Sequence, residues 1–274
     1  MGDQPIRFTD GAGYDRYMGV WSRLAGEEFL DWLAPPPGLR WLDVGCGNGA
    51  FTELIARRCA PRELHGIDPS EAQLAFARRQ PLLAAAQLRT GDAMDLPYAA
   101  DAFDAAVMPL VIFFVPEPAR GVAEMARVVA PGGWVAAYAW DMEGGGFPYQ
   151  SLRDGLDAIG VSTPLPPSPE ASRPEALREL WTAAGLTDIE TLTISVEHSF
   201  ADFEGFWAIL QAAPSAGQAL ATMGEAERTS FQKLLRARLE PPGGGAITLQ
   251  GRANAIRGRV PSRSSPAGGG PGGG

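Results

Sequence analysis

The chain has 274 residues, 45% of them hydrophobic and 20% charged, which places it among globular proteins with one sizeable core and excludes a small stapled scaffold. Thirty-two Asp plus Glu against 23 Lys plus Arg give a formal charge of −9, an average field that repels a phosphate backbone, so nucleic acid is not an expected partner. Cys46 and Cys59 are too few for a disulfide framework, and the start MGDQPIRF shows neither an export signal nor the Ser or Thr of a myristoylation pattern. The longest apolar run, Ala105 to Val115, falls well short of the ~20 residues of a membrane-spanning helix, and the cytoplasm is the expected location.

Between residues 14 and 33, Tyr14, Tyr17, Met18, Trp21, Leu24, Phe29 and Leu33 recur at mostly three- and four-residue spacing, which predicts amphipathic helices ended by Pro35, Pro36, Pro37 and Gly38. An alternation follows: strand 40–44, helix 49–59, strand 63–68, helix 70–79, strand 87–91, strand 103–109, helix 117–129 and strand 133–140. Such a series argues for a parallel sheet covered by helices on both faces, with right-handed crossovers. After three glycines at 144–146 and the proline-rich stretch 164–169, a helix is expected with Ser172 as its cap, Pro174 in its first turn and Gly185 at its end. Residues 188–198 read as a strand, 202–239 return to helical spacing as an insertion, and 246–256 read as the last strand. The tail PSRSSPAGGGPGGG lacks the apolar surface to order itself.

The most informative segment is Arg40 to Phe51, RWLDVGCGNGAF, a strand entering a glycine-rich turn and a helix. Gly45, Gly47 and Gly49 permit positive φ and close approach of a ligand to bare backbone, and the following helix points unpaired N–H groups at the same place. The spacing also satisfies a dinucleotide fingerprint through Gly45, Gly47 and Ala50. Asp43 separates the two readings, because a carboxylate beside the loop opposes a pyrophosphate and favours an ammonium and a sulfonium. Asp68, ending the second strand in HGIDPS, suits two ribose hydroxyls. Asp92, in TGDAMDLP, suits an adenine amino group, with the Ala93 N–H beside it.

In these segments the sequence resembles the class I S-adenosylmethionine-dependent methyltransferases, in particular the small-molecule branch similar to ubiquinone and menaquinone biosynthesis enzymes. LDVGCGNGAF resembles the family's first motif, GIDPS its acidic ribose motif, GDAMDLPY and FDAAV the next two, and PGG at 131–133 the turn before the fifth strand. The resemblance implies a Rossmann-like α/β fold: a doubly wound, seven-stranded, mostly parallel sheet with its last strand antiparallel, plus N-terminal helices and a helical insertion before that strand. It implies S-adenosylmethionine held by Asp43, Gly45, Cys46, Gly47 and Gly49 around the methionine portion, Asp68 and Pro69 at the ribose, Asp92 and Ala93 at the adenine, and Pro109 with Leu110 facing the transferable methyl group. It also implies an N-terminal helical lid over 1–38, a catalytic domain over 39–260 with helical cap segments at about 142–172 and 200–241, and a tail over 261–274. Metal-dependent phenol methyltransferases place a carboxylate where this chain has Met108 and Pro109, so no metal is expected.

Methyl transfer from a sulfonium is an in-line displacement that asks the protein chiefly for alignment, worth up to ~7–11 kcal/mol of the barrier in the best cases. A general base is needed only for an acceptor that must lose a proton. Tyr14, as part of the lid, and His198, at the end of its strand, are the candidates; His65, inside the second strand, reads as structural. Cys46 reads as a small packing residue and Asp95 as solvated. Tyr17, Trp21, Phe113, Phe114, Phe203, Phe206 and Trp207 either pack the core or line an apolar pocket for a small aromatic acceptor. Two other functions use the same residues: an NAD(P)-dependent oxidoreductase built on the glycine loop, and a non-catalytic cofactor-binding module.

Overall fold

In the computed structural model, which describes residues 15–161, 163–211 and 213–262, one seven-stranded sheet organises the chain. Its strands are β1 (Arg40–Val44), β2 (Glu63–Asp68), β3 (Gln87–Thr90), β4 (Phe103–Pro109), β5 (Val129–Trp140), β6 (Thr187–Phe200) and β7 (Ile247–Arg259), in the order β3-β2-β1-β4-β5-β7-β6. All neighbours pair in parallel except that β7 runs antiparallel to both β5 and β6. The fold expected from the sequence is therefore the fold observed. β4 shows why: Ala105, Ala106, Val107 and Met108 are completely buried, the near-continuous apolar run of a strand covered on both faces.

The helices are α1 (Val20–Leu33), entered through a π-helical turn at Asp15–Gly19, then α2 (Ala50–Arg58), α3 (Glu71–Ala77), α4 (Pro118–Val128), α5 (Gln150–Ala158), α6 (Pro174–Ala183), α7 (Phe203–Gln211), α8 (Pro214–Thr222) and α9 (Glu225–Leu239). Segment 202–239 is three helices because Pro214 opens one and Gly224 caps the next. Strand β5 begins at Val129, four residues before its expected start, and its pairing with β4 shifts register between Phe103 and Ala105. Ser172 does not cap α6. Arg173 occupies the N-cap position, while the Ser172 hydroxyl donates to Pro169 O (2.7 Å) and accepts from the Met142 N–H (3.1 Å). No helix among the described residues is long and apolar enough to cross a membrane. Tyr14 and residues 263–274 of the expected tail lie outside the described residues.

At one edge of the sheet, β6 and its neighbour β7 extend beyond the rest. Trp140, the last residue of β5, pairs with Ala253, which faces Ile194 on β6, yet the β6–β7 ladder continues to Phe200 opposite Ile247. At ~3.3 Å per residue this arm stands about 20 Å above the carboxyl ends of the central strands. The helices α7, α8 and α9 form its connection, so they sit on the side where the central strands end.

Candidate functional site

The site begins where β1 stops. Gly45 and Gly47 adopt φ of +76° and +52°, and the N–H groups of Gly45 and Cys46 both donate to Ile67 O (2.7 and 3.0 Å), hooking the loop onto β2. A Cβ on Gly45 would lie 2.5 Å from a Val111 methyl, whereas one on Gly47 would meet nothing closer than 4.0 Å. Gly45 is therefore glycine for packing as well as conformation, and Gly47 leaves bare main chain facing open space. Beside it lies a cavity of about 160 Å³, lined among others by Asp43, Gly45, Cys46, Gly47, Asp68, Pro69, Pro109 and Leu110.

Two carboxylates meet there. Asp43 is completely buried; one oxygen accepts from the Thr52 hydroxyl (2.7 Å) and Oδ1 has no hydrogen-bond partner among the described residues. Burial pushes its carboxyl up to about 7, against the lowering effect of the Thr52 bond. A buried acceptor left without a donor is costly, and this one fits a ligand that brings a cationic donor. Asp68 is held rigidly: Oδ2 accepts from the Gly47 N–H (2.9 Å) and Oδ1 from the Ser70 N–H (2.8 Å), and burial raises its pKa despite both bonds. The remaining lone pairs of both oxygens suit a vicinal diol. Across the cavity, Leu110, the residue after β4, has φ of +59°, a left-handed conformation costing of order 1–3 kcal/mol in a non-glycine residue, and its N–H donates to Tyr138 O (2.7 Å). The backbone is thus strained where the methyl group was expected to lie.

Other residues singled out from the sequence lie outside this cavity's walls. Gly49 (φ +88°) is wedged against α3, where a Cβ would approach Leu83 to 2.5 Å and Ala77 to 3.1 Å. Asp92 is exposed and closes its own turn by accepting from the Met94 N–H (2.8 Å); Ala93 beside it is half-buried. His198 lies on the arm, its ring edge-on to Trp21 (5.7 Å) and Phe200 (4.6 Å), and burial lowers its pKa so that the imidazole is neutral near pH 7. His65 packs against Tyr98 and Phe103. Cys46, by contrast, lines the cavity, and burial raises its thiol well above the ordinary range, against any nucleophilic role.

The cavity wall also includes Ser22, Asn48, Phe51, Gln73, Val111, Phe114 and Tyr138. Asn48 is buried in the loop; its Oδ1 accepts from the Ala50 N–H (3.2 Å) and its Nδ2 donates to Asp15 (3.5 Å), tying the N-terminal turn to the glycine loop. Its position between Gly47 and Gly49 was a usable signal. Ser22 and Tyr138 arrive through packing, the Tyr138 hydroxyl donating to Ser22 O (3.4 Å), and nothing local marks them.

Residues 42–137 match the family described as a methyltransferase domain. The fold is the Rossmann-like fold of class I methyltransferases, and the matched segment runs from β1 through most of β5. The chain is 40% identical over 108 residues to the ubiquinone biosynthesis O-methyltransferase of Hahella chejuensis, covering 38% of this chain and 44% of that protein. It is 40% identical over 95 residues to the 2-methyl-6-phytyl-1,4-hydroquinone methyltransferase 2 of Oryza sativa subsp. japonica, covering 35% of this chain and 27% of that protein. The matches thus span less than half of either relative. The phosphoethanolamine N-methyltransferase 2 of Haemonchus contortus, solved with S-adenosyl-L-methionine, superposes with a TM-score of 0.58 at 17% identity, over 92% of this chain and 57% of that one. Sequence similarity is therefore concentrated around the glycine loop and the following strands, while the fold likeness extends through the arm.

Proposed function

We propose that the protein is an S-adenosylmethionine-dependent methyltransferase acting on a small, largely apolar or aromatic molecule. The observation that carries this is the pair of carboxylates flanking bare glycine backbone: Asp43, buried with an oxygen that has no partner among the described residues, and Asp68, half-buried and held by two N–H donors. Asp43 receives the ligand's ammonium, Gly47 allows its methionine portion to lie against the main chain, and Asp68 accepts from the ribose hydroxyls. A dinucleotide's pyrophosphate in the same place would face an acid with no cation to offset it, which disfavours the oxidoreductase reading. The named relatives, one of them acting in ubiquinone biosynthesis, agree with a small-molecule acceptor.

S-adenosylmethionine supplies an electrophilic methyl carbon on a sulfonium. The chain's own part is to exclude water with Phe51, Phe114, Leu110 and Tyr138 and to hold the acceptor in line from the side of the arm. His198, whose ring burial keeps neutral, is our candidate to take a proton at a ring nitrogen from an acceptor hydroxyl. Asp92 and Ala93 belong, in this proposal, to an adenine contact at the cavity's outer rim, with residues 1–38 as a lid. Calorimetric titration with S-adenosylhomocysteine tests the reading: saturable binding to wild type, weakened at least tenfold in Asp68→Ala, is expected. No binding at millimolar ligand, or unchanged affinity in the variant, rejects it.

A further inference from the structure

On the acceptor side, α5 carries Tyr149 at its N-cap and Arg153 one turn later, so the two share a face. Tyr149 stacks on Tyr17 (ring centroids 4.3 Å), donates to Tyr17 O (2.9 Å) and accepts from Trp21 Nε1 (3.1 Å). Trp21 adjoins Ser22 in the cavity wall and meets His198 edge-on, so this aromatic cluster links the cofactor cavity to the arm.

Arg153 is the anomaly in that cluster. Its guanidinium lies 5.9 Å from the Phe147 ring centre, half-buried, and forms no salt bridge or side-chain hydrogen bond among the described residues. Acids are near: Asp157 stands at i+4, where an exposed helix pair ordinarily forms, and Asp154 is next in sequence but accepts from Gln150 Nε2 (2.8 Å). Arg153 nevertheless leans towards Phe147 and Tyr17. Burial lowers its pKa, yet a guanidinium stays charged, so a cation rests partly desolvated against aromatic surface in a protein of net charge −9. An unpaired, partly buried cation is expensive to keep without a partner.

We infer that Arg153 receives the anionic end of the methyl acceptor, and that the acceptor is an apolar or aromatic acid whose body lies against Phe147. The planar guanidinium matches a carboxylate bidentately, and the half-buried Phe147 ring supplies the apolar contact. This rests on the methyltransferase reading for the meaning of "acceptor", but its test does not.

Isothermal titration of octanoate against octanamide, and of benzoate against benzamide, compares matched pairs differing in the charged end. The expected result is at least tenfold tighter binding of one or both acids over their amides, lost in Arg153→Gln and partly kept in Arg153→Lys. Thermal unfolding verifies that both variants are folded, and S-adenosylhomocysteine affinity is expected to be unchanged in each. Equal binding of acids and amides, a preference surviving Arg153→Gln, or no saturable binding of either acid overturns the inference. Failure of S-adenosylhomocysteine to bind wild type would instead sink the cofactor reading while leaving the acid preference to stand or fall by itself.

Discussion

Replacing Asp43 by Asn keeps the side chain's shape and its acceptor for Thr52 while removing the ionisable group. The carboxyl titrates near 7 in the folded protein against 3.8 unperturbed, so between those values the folded state holds a proton that the unfolded state has lost. Stability from this group is therefore greatest at low pH and is lost as pH rises through about 7, by up to ~4 kcal/mol once ionisation is complete. Most of that loss falls between pH 4 and 6; from pH 6 to 8 the share is about 1.4 kcal/mol. Urea unfolding of ligand-free wild type and Asp43→Asn at pH 6, 7 and 8 isolates it, because groups other than Asp43 titrate in both proteins. Wild type is expected to lose about 1.4 kcal/mol more than the variant across this range, and the variant to be the more stable at pH 8. A cationic ligand selects the ionised form, so wild-type affinity for S-adenosylhomocysteine, which carries the ammonium, should rise about tenfold from pH 6 to 8, with a flat profile in the variant. Parallel stability curves for the two proteins would refute the reasoning, since they would mean that Asp43 is ionised throughout.

The two loop glycines should separate stability from binding. Gly45→Ala drives a Cβ into Val111 at positive φ and is expected to cost roughly 2–4 kcal/mol in chemical denaturation, whereas Gly47→Ala costs about 1 kcal/mol yet weakens S-adenosylhomocysteine at least tenfold, by filling the cavity. Tyr149→Phe leaves the Trp21 N–H and the Tyr17 carbonyl without their shared partner and should lower stability by roughly 2–4 kcal/mol; a loss below 0.5 kcal/mol would show that water replaces the hydroxyl. His198→Gln should leave S-adenosylhomocysteine affinity intact, because the imidazole lies outside the cavity wall; a weakened affinity in calorimetry would place it in the cofactor site instead.

What was legible in the sequence follows from how local the cause is. The glycine loop, Asp43 and Asp68 could be found because a strand, a turn and a helix in immediate succession leave few geometries, and the acids fall at strand ends. Alternating apolar strands and amphipathic helices fixed the parallel sheet by the same logic. Ser172 misled because a Ser before Pro174 carries the capping pattern, but its hydroxyl found partners at Pro169 and Met142 that no local rule foresees. Gly49 carried the loop's signature and yet answers to α3, whose approach depends on how β2 and β1 pair. Tyr138 and Ser22 are brought to the cavity from positions 116 residues apart, a long-range contact without a periodic trace. Arg153 was silent for a related reason: one arginine on an amphipathic helix looks like any solvated cation until its missing partner is seen.

The tall two-stranded arm has a bearing on how such a protein can diverge. Phe200 and Ile247 are paired, so everything between them leaves and returns to one spot, and the three-helix excursion can be lengthened, trimmed or exchanged without moving a strand of the sheet. A ribbon of two strands is only marginally stable alone, and this one is braced by Trp21 and Phe206 against His198 and Phe200. Two of the brace's rings, Trp21 and Phe206, also pack on Tyr149, one helical turn from Arg153. Altering the surroundings of Arg153 therefore disturbs the scaffolding at that end, while the glycine loop, founded on β1 and β2, is left untouched.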